Sequence, residues 1–285
     1  MRNTTHSIRA NGLTHFIRDS GDEAAPAAIL LHGFPDTSDI WTAMTPKLVA
    51  AGFRIIAPDL RGFGESDMAA RKADYDINAG AIPDVLEIMG ALNIDHAHIV
   101  GHDFGAPVAW SLAAQYPERF TTLAALSVGH PRAYLRAGPQ QLKMSWYILF
   151  HQLRGICEAA YRFNDWIFLR RHWTAHTDIE TVIANLTRPG RLTAGLNWYR
   201  ANLSLARMVR PPKWGAFGEE TVRIPTLGQW SDGEKYLTER QMKLSEDYVE
   251  APWRYQRITG ASHWIPSDRP SECAEALIDH WRTTP

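Results

Sequence analysis

Short apolar runs alternate with longer segments of helical periodicity along most of the 285-residue chain. Six runs have the length and composition of buried strands: residues 27–33, 53–60, 97–103, 121–128, 225–230 and 254–263. Between the first four lie "IWTAMTPKLVAAG", "AGAIPDVLEIMGALN" and "APVAWSLAAQYPERF", which carry apolar residues at helical spacing. Because parallel strands need helical crossovers, this alternation predicts an α/β fold with a mostly parallel sheet flanked by helices.

One segment, residues 131–218, interrupts this alternation. It has no convincing strand pattern and is dense in Trp, Tyr, Phe and Arg, as in "SWYILFHQLRG", "YRFNDWIFLRRHW" and "LTAGLNWYRANL". Pro211, Pro212, Gly215 and Gly218 mark the return to the sheet. We therefore predict a helical cap (lid) domain, residues 131–218, inserted into a core domain of residues 1–130 and 219–285. The simpler alternative for most of these aromatic residues is packing within the cap alone.

Composition favours a protein that acts on small molecules. With 30 basic and 31 acidic residues the formal net charge is -1, so a general attraction to nucleic acid or to an anionic membrane is not expected. The amino-terminal stretch lacks the apolar core of a signal peptide, and no run approaches the ~18 apolar residues of a membrane span. We expect a soluble, cytoplasmic protein, and a homodimer is left open. Cys157 and Cys273 lie far apart without metal-ligand neighbours, so both are predicted to be packing residues.

An aspartate occupies the centre of the stretch "IVGHDFGAP", residues 99–107. Gly101, Gly105 and Ala106 surround Asp103 with small residues, which is typical of a sharp turn from strand to helix that pushes one side chain into a cleft. The carboxylate is predicted to lie at the carboxyl edge of the sheet, where open α/β folds bind ligands. The helix N-terminus favours its ionised form.

A base and an acid follow in the chain. His263 comes after the last predicted strand in "GASHW", and Glu234 comes after the strand that follows the cap, in "QWSDGEKYL". The order nucleophile, acid, base is that of α/β-hydrolase triads. Asp232, two residues before Glu234, is the alternative acid. His32, His102, Asp59 and Arg61 are interpreted as residues that hold loops and turns.

Four motifs in this order resemble the α/β-hydrolase superfamily, in its epoxide hydrolase branch, over nearly the whole chain: "HGFP" (32–35), "DLRGFGES" (59–66), "GHDFGAPVAW" (101–110) and "ASHW" (261–264). The segments "SWYILFHQLRG" and "LNWYRANL" resemble the two lid segments that present a pair of tyrosines to the substrate in epoxide hydrolases. The matching positions are Tyr147 and Tyr199.

The resemblance and the chemistry of a carboxylate nucleophile lead to one functional hypothesis. Asp103 attacks an apolar or aromatic epoxide to form an alkyl ester, while Tyr147 and Tyr199 donate a proton to the ring oxygen. Water activated by His263 then hydrolyses the ester to release a vicinal diol. The backbone N–H groups of Phe34 and Phe104 are the candidates for the oxyanion hole. The expected partners are a small-molecule epoxide and water, with no cofactor or metal.

The first alternative is a haloalkane or haloacetate dehalogenase that uses the same aspartate. Fluoroacetate dehalogenases typically carry arginine after the nucleophile, a His-Trp pair in the first lid helix and an aspartate after the strand before the lid. Here those places hold Phe104, Trp146 with Tyr147, and "SVGHP". Haloalkane dehalogenases usually have Asn or another polar residue at the place of Phe34.

Two further alternatives fit less well. A non-catalytic ligand-binding homologue is disfavoured by the intact Asp103 and His263. A serine esterase is disfavoured because no Gly-x-Ser-x-Gly occurs at the elbow.

Overall fold

The computed structural model describes residues 3–173, 178–204, 207 and 221–283. The strands of this part of the chain are β1 (Asn3–Ala10), β2 (Leu13–Ser20), β3 (Ala27–Leu31), β4 (Arg54–Pro58), β5 (Ala97–His102), β6 (Phe120–Leu126), β7 (Thr226–Ser231) and β8 (Trp253–Ile258). They form one sheet in the order β1-β2-β4-β3-β5-β6-β7-β8. Strands β3 to β8 pair in parallel, and β1 and β2 are antiparallel to their neighbours. The predicted mostly parallel sheet is confirmed.

Helices connect and flank these strands. They are α1 (Thr45–Ala50), α2 (Ile82–Ala91), α3 (Gly105–Gln115), α4 (Pro131–Arg136), α5 (Pro139–Met144), α6 (Trp146–His151), α7 (Ile156–His172), α8 (Ile179–Thr187), α9 (Arg191–Asn202), α10 (Glu239–Lys243), α11 (Ile265–Asp268) and α12 (Pro270–Thr283). Shorter turns lie at Ser38–Trp41, Lys72–Tyr75, Ile77–Ala81 and Leu244–Tyr248. Strands β3 to β6 are buried almost throughout, as expected for parallel strands covered on both faces.

The amino-terminal hairpin was not predicted from the sequence. Strands β1 and β2 pair in register from Asn3↔Ser20 to Ala10↔Leu13. Asn11 and Gly12 form the connection with φ of 47° and 78°, a backbone that the Asn-Gly pair adopts readily in two-residue hairpin turns. The hairpin extends the sheet through β2, which pairs with β4.

The strand order creates a crevice at the middle of the sheet. β3 lies between β4 and β5, so the chain leaves β3 toward one edge of the sheet and later returns to its other side at β5. The loops after β3 and β5 therefore diverge, which is where open α/β sheets bind ligands. Leu31 pairs with Gly101 at the ends of these two strands, so Phe34 and Asp103 follow from adjacent points of the edge.

Helices α4 to α9 are inserted between β6 and β7, and we refer to them as the inserted helices. No strand lies in the described part of residues 131–218. A buried ion pair joins two of them, since Arg200 of α9 donates two hydrogen bonds of 2.7 and 3.0 Å to Glu158 of α7. The predicted boundary between residues 218 and 219, and the turn residues Pro211, Pro212, Gly215 and Gly218, lie outside the described residues.

Two smaller predictions concern the cysteines and the membrane. Cys157 and Cys273 are both buried, reduced and unbridged. Among the described residues, the helices are too short or too polar to cross a lipid bilayer.

Candidate active site

Asp103 occupies a sharp turn between β5 and α3. Its φ is +49°, in the left-handed region that few non-glycine residues adopt, which projects the carboxylate away from the strand. The turn requires close packing of backbone on backbone, because a Cβ at Gly105 would collide with Leu31 and lie 2.7 Å from the His32 oxygen. The strand-to-helix elbow expected from the glycine pattern is therefore the geometry at Asp103.

The structure brings His263 and Glu234 to this carboxylate. His263 Nε2 lies 3.4 Å from Asp103 Oδ2, and His263 Nδ1 lies 2.6 Å from Glu234 Oε2. Asp232 is exposed and accepts a hydrogen bond of 2.8 Å from the Gly260 N–H. Of the two candidate acids, Glu234 is the one in contact with the imidazole.

The loop that carries His263 is held from several sides. The Ser127 hydroxyl donates to the His263 carbonyl oxygen at 2.8 Å, and His102 Nε2 lies 2.9 Å from the same oxygen. The Ser262 N–H donates to Asp268 at 2.7 Å. Burial and the neighbouring His263 lower the pKa of His102 to about 4, so its ring is neutral and its role is to support the loop.

Two carboxylates control the protonation of His263. Burial alone lowers the pKa of a histidine, but attraction to Glu234 and the hydrogen bond to Asp103 outweigh it and raise the pKa of His263 to about 10. His263 therefore carries a proton on both ring nitrogens at neutral pH as long as Asp103 is ionised. Removal of the charge on Asp103 takes away part of what raises this pKa, so it brings the imidazole closer to its neutral, basic form.

A backbone donor contacts the other oxygen of the nucleophile candidate. The Phe34 N–H donates to Asp103 Oδ1 at 2.7 Å. A Cβ placed on Gly33 would collide with Asp103 Oδ1 and lie 2.5 Å from the Phe104 nitrogen, so both predicted oxyanion donors border the same carboxylate. His32 supports this loop, since its Nε2 accepts from the Leu60 N–H at 2.9 Å.

A cavity opens in front of Asp103. Asp103, Tyr147 and Tyr199 line it, and most of the remaining wall is apolar: Ile77, Pro107, Val128, Ile148, Leu203 and Leu237. Its volume is about 70 Å³, which exceeds the roughly 10–15 Å³ that one water needs. The site can therefore hold a small molecule with an apolar body against one carboxylate.

Tyr147 of α6 and Tyr199 of α9 lie side by side in the wall of the cavity that Asp103 also lines. Their ring centroids are 5.9 Å apart with the planes at 86°. Both side chains are buried, yet neither phenol oxygen has a hydrogen-bond partner in the described part of the chain. Burial raises the pKa of both phenols well above the usual value, and the nearby Asp103 charge adds to this, so both stay neutral proton donors.

One residue of the site was missed by sequence reasoning. The Tyr236 N–H donates to Glu234 Oε1 at 2.8 Å, and the Tyr236 ring lies 5.3 Å from the His263 ring and 5.7 Å from that of Tyr147. The Tyr236 hydroxyl donates to the His172 carbonyl at 2.6 Å and so reaches the inserted helices. No motif singles out this tyrosine, because its role depends on where the loop after β7 folds.

Asp59 and Arg61 lie away from the cavity and hold turns, as interpreted. Asp59 accepts hydrogen bonds from the Ser38 and Glu65 N–H groups, and Arg61 Nε donates to Asp84 at 2.7 Å. In the described residues, no cluster of three or more His, Cys, Asp or Glu side chains is arranged to hold a metal ion.

Comparison with known proteins agrees with this architecture. Residues 26–270 match the profile of the alpha/beta hydrolase fold family. The chain is 31% identical to epoxide hydrolase 3 of Xenopus tropicalis over 95% of this chain and 76% of that protein. It is 32% identical to the AB hydrolase superfamily protein YfhM of Bacillus subtilis over 96% of both chains.

A solved structure matches at the level of the whole chain. The crystal structure of epoxide hydrolase A from Mycobacterium thermoresistibile superposes with a TM-score of 0.80 and 26% identity, covering 100% of this chain and 99% of that one. The predicted family and fold class are confirmed. The chain belongs to the α/β-hydrolase family, in its epoxide hydrolase branch.

Proposed function

We propose that this protein hydrolyses an apolar or aromatic epoxide to a vicinal diol through a covalent ester on Asp103. The observation that carries the proposal is that the Asp103 carboxylate and the phenols of Tyr147 and Tyr199 line the same cavity. Both phenols are neutral, and neither has a hydrogen-bond partner among the described residues. The names of several relatives, such as epoxide hydrolase 3 of Xenopus tropicalis, support the same reaction. In this proposal residues 1–130 and 219–285 form the core domain and residues 131–218 the cap.

In the first half-reaction Asp103 Oδ2 attacks one ring carbon. A carbon–oxygen bond forms to the enzyme and the bond from that carbon to the ring oxygen breaks. The ring oxygen leaves as an alkoxide that takes a proton from Tyr147 or Tyr199, which are general acids that stay neutral at physiological pH. Asp103 Oδ1 becomes the ester carbonyl oxygen and remains on the Phe34 N–H.

Ester formation also changes His263. The ester is uncharged, so the attraction and hydrogen bond by which Asp103 raises the pKa of His263 are lost, while burial continues to lower that pKa and Glu234 continues to raise it. Ring opening consumes one proton, which Tyr147 or Tyr199 donates and regains from solvent. His263, whose pKa has fallen, releases its proton to solvent, and the neutral imidazole is then able to accept a proton from water.

In the second half-reaction water attacks the ester carbonyl carbon. His263, oriented by Glu234, accepts a proton from that water. Negative charge develops on Oδ1, where the Phe34 and Phe104 N–H groups stabilise it. Collapse releases the diol, and the site recovers the Asp103 carboxylate and the proton on His263.

The test separates the two half-reactions. With a styrene-type epoxide, we expect the His263→Gln variant to gain the mass of one substrate molecule on Asp103, as measured by intact-protein and peptide mass spectrometry. Asp103→Ala is the matched control and gains no mass. The Tyr147→Phe/Tyr199→Phe variant forms the adduct more slowly by about 10²- to 10⁴-fold, since general acid catalysis is lost.

The outcome that contradicts the proposal is the absence of a mass increase in His263→Gln with every epoxide of a panel of styrene-type, aliphatic and fused-ring compounds. Chloroacetate and fluoroacetate are assayed beside them with halide release measured. Release of halide without diol formation would assign the Asp103 chemistry to a dehalogenase.

A further inference from the structure

The inserted helices carry an exposed apolar surface. In the described residues, all exposed large apolar side chains except Met68 lie between residues 135 and 163, and they are 42% to 72% exposed. We call the six that follow residue 140 the outer apolar face: Leu142, Trp146, Leu149, Leu153, Ile156 and Phe163. Single exposed apolar residues are ordinary, but a cluster of this kind marks an interaction surface.

Two residues of the outer apolar face, Trp146 and Phe163, adjoin a shallow groove. Trp146 lies 6.3 Å from Phe168 and 5.3 Å from His172, measured between ring centroids. Phe168 and His172 line a shallow groove together with Phe163 and Arg171. The outer apolar face therefore extends from α6 onto α7.

Cations without partners are interleaved with this face. Lys143, Arg154, Arg162 and Arg171 are exposed, and none has an ion pair with a described residue. Lys143 follows Leu142, Arg154 follows Leu153, Arg162 precedes Phe163, and Arg171 lines the groove.

Three other arginines of the inserted helices are already paired with carboxylates. Arg136 contacts Asp247, Arg188 contacts Glu65, and Arg170 contacts both Asp165 and Glu180. Arg170 with Asp165 and Glu180 keeps a net charge of -1, which the four unpaired cations of the face outweigh, so the charge along the face is positive overall.

The net charge of the whole chain does not reveal that its positive and negative charges are unevenly distributed. Residues 131–218 contain 13 Lys or Arg and 4 Asp or Glu, a formal charge of +9, whereas the remaining residues contain 17 and 27, a charge of -10. The expectation of no membrane contact depended on the net charge of -1, which averages these two parts. A second copy docked face to face would oppose two positive segments, so the charge favours an anionic partner.

We propose that the outer apolar face docks on the surface of an anionic lipid bilayer. Its apolar side chains insert at the level of the headgroups while Lys143, Arg154, Arg162 and Arg171 contact lipid phosphates. The cavity lies behind this face, because α6 places Trp146 and Leu149 outward and Tyr147 and Ile148 in the cavity wall. Docking places the cavity next to the lipid bilayer, in which apolar compounds dissolve. The docking itself does not depend on the proposed function; only the delivery of an epoxide from the bilayer to the cavity does.

The test measures binding of the full chain to vesicles by sedimentation. We expect partitioning to an equal mixture of phosphatidylcholine and phosphatidylglycerol, much weaker partitioning to phosphatidylcholine alone, and weakening with salt. Arg162→Gln/Arg171→Gln should bind the anionic vesicles about 25-fold more weakly. The matched control Arg9→Gln/Arg240→Gln removes two exposed cations of the core and should bind as the unmodified chain does.

A second variant tests the apolar contribution. Ile156→Ser/Phe163→Ser should weaken binding by about tenfold or more, with far-UV circular dichroism and the melting temperature showing that each variant is folded. The proposal is overturned by equal binding to both vesicle types, by no binding, or by equal losses in the two arginine variants. It is also overturned if the protein self-associates without vesicles and Ile156→Ser/Phe163→Ser abolishes that association, since a second copy then covers the face. These readouts do not require turnover, so they stand whether or not the epoxide reaction is found.

Discussion

A methyl group at Gly33 should disable the site without unfolding the protein. The Cβ of an alanine there would overlap the Asp103 side chain and lie 2.5 Å from the Phe104 nitrogen. Ordinary contacts of this kind are about 3.5 Å, so the carboxylate and its donors must separate by about 1 Å. That shift breaks the 2.7 Å hydrogen bond from the Phe34 N–H to Asp103.

The expected loss in kcat is about 10²- to 10³-fold, the usual effect of removing one oxyanion donor or of misplacing a reacting group by this distance. Turnover of an epoxide is compared for Gly33→Ala and for Gly90→Ala, whose Cβ would meet nothing within 4 Å. Gly90→Ala should keep full activity. A Gly33→Ala enzyme as active as Gly90→Ala would refute the proposed use of this loop and of Asp103.

Three other predictions concern charged groups. Glu234→Gln should slow hydrolysis of the enzyme ester by about a thousandfold or more, measured by the decay of the adduct mass, whereas Asp232→Asn should change it by about twofold at most. Glu158→Gln should lower the free energy of unfolding in urea by about 3–5 kcal/mol because it leaves Arg200 buried without its partner, and adding Arg200→Met should recover much of that loss. The pKa of His263 is raised to about 10 in the folded state, so its contribution to stability is complete below pH ~6.5 and is lost as the pH rises through 10. The free energy of unfolding of the unmodified protein should therefore fall over this range, and that of His263→Gln should fall less steeply. A flat profile for the unmodified protein would contradict this account of the histidine.

The parallel strands could be predicted because each is buried on both faces. β3 and β5 are uninterrupted buried runs, and such runs stand out in the sequence. The residues at their ends, Asp103 among them, follow from the rule that ligands bind at the carboxyl edge. The amino-terminal hairpin was not predicted because β1 is exposed or half-buried along most of its length, so its sequence resembles that of a polar segment. Its Asn11-Gly12 turn was the available signal.

The parts of the site that the sequence alone could not settle depend on loop conformation. Whether Glu234 or Asp232 faces His263 is decided by the turn after β7, where Asp232 is drawn away to the Gly260 N–H. The Tyr236 N–H supports Glu234 within the turn after β7, and the Ser127 hydroxyl supports the His263 carbonyl oxygen from a segment far away in the chain. Contacts of this kind leave no periodic or motif signal, since they arise only when the sheet has formed.

The point of insertion between β6 and β7 has a consequence for how such a catalyst can be altered. The proposed nucleophile and its proposed base lie on loops of the sheet, whereas both phenols lie on helices inserted between two neighbouring strands, β6 and β7. In the proposed reaction, replacing only the inserted helices exchanges the two proton donors and leaves Asp103, His263 and Glu234 in place. The proposed mechanism thus assigns leaving-group preference and displacement to separate parts of the fold, which makes this scaffold a starting point for grafting donors suited to other electrophiles.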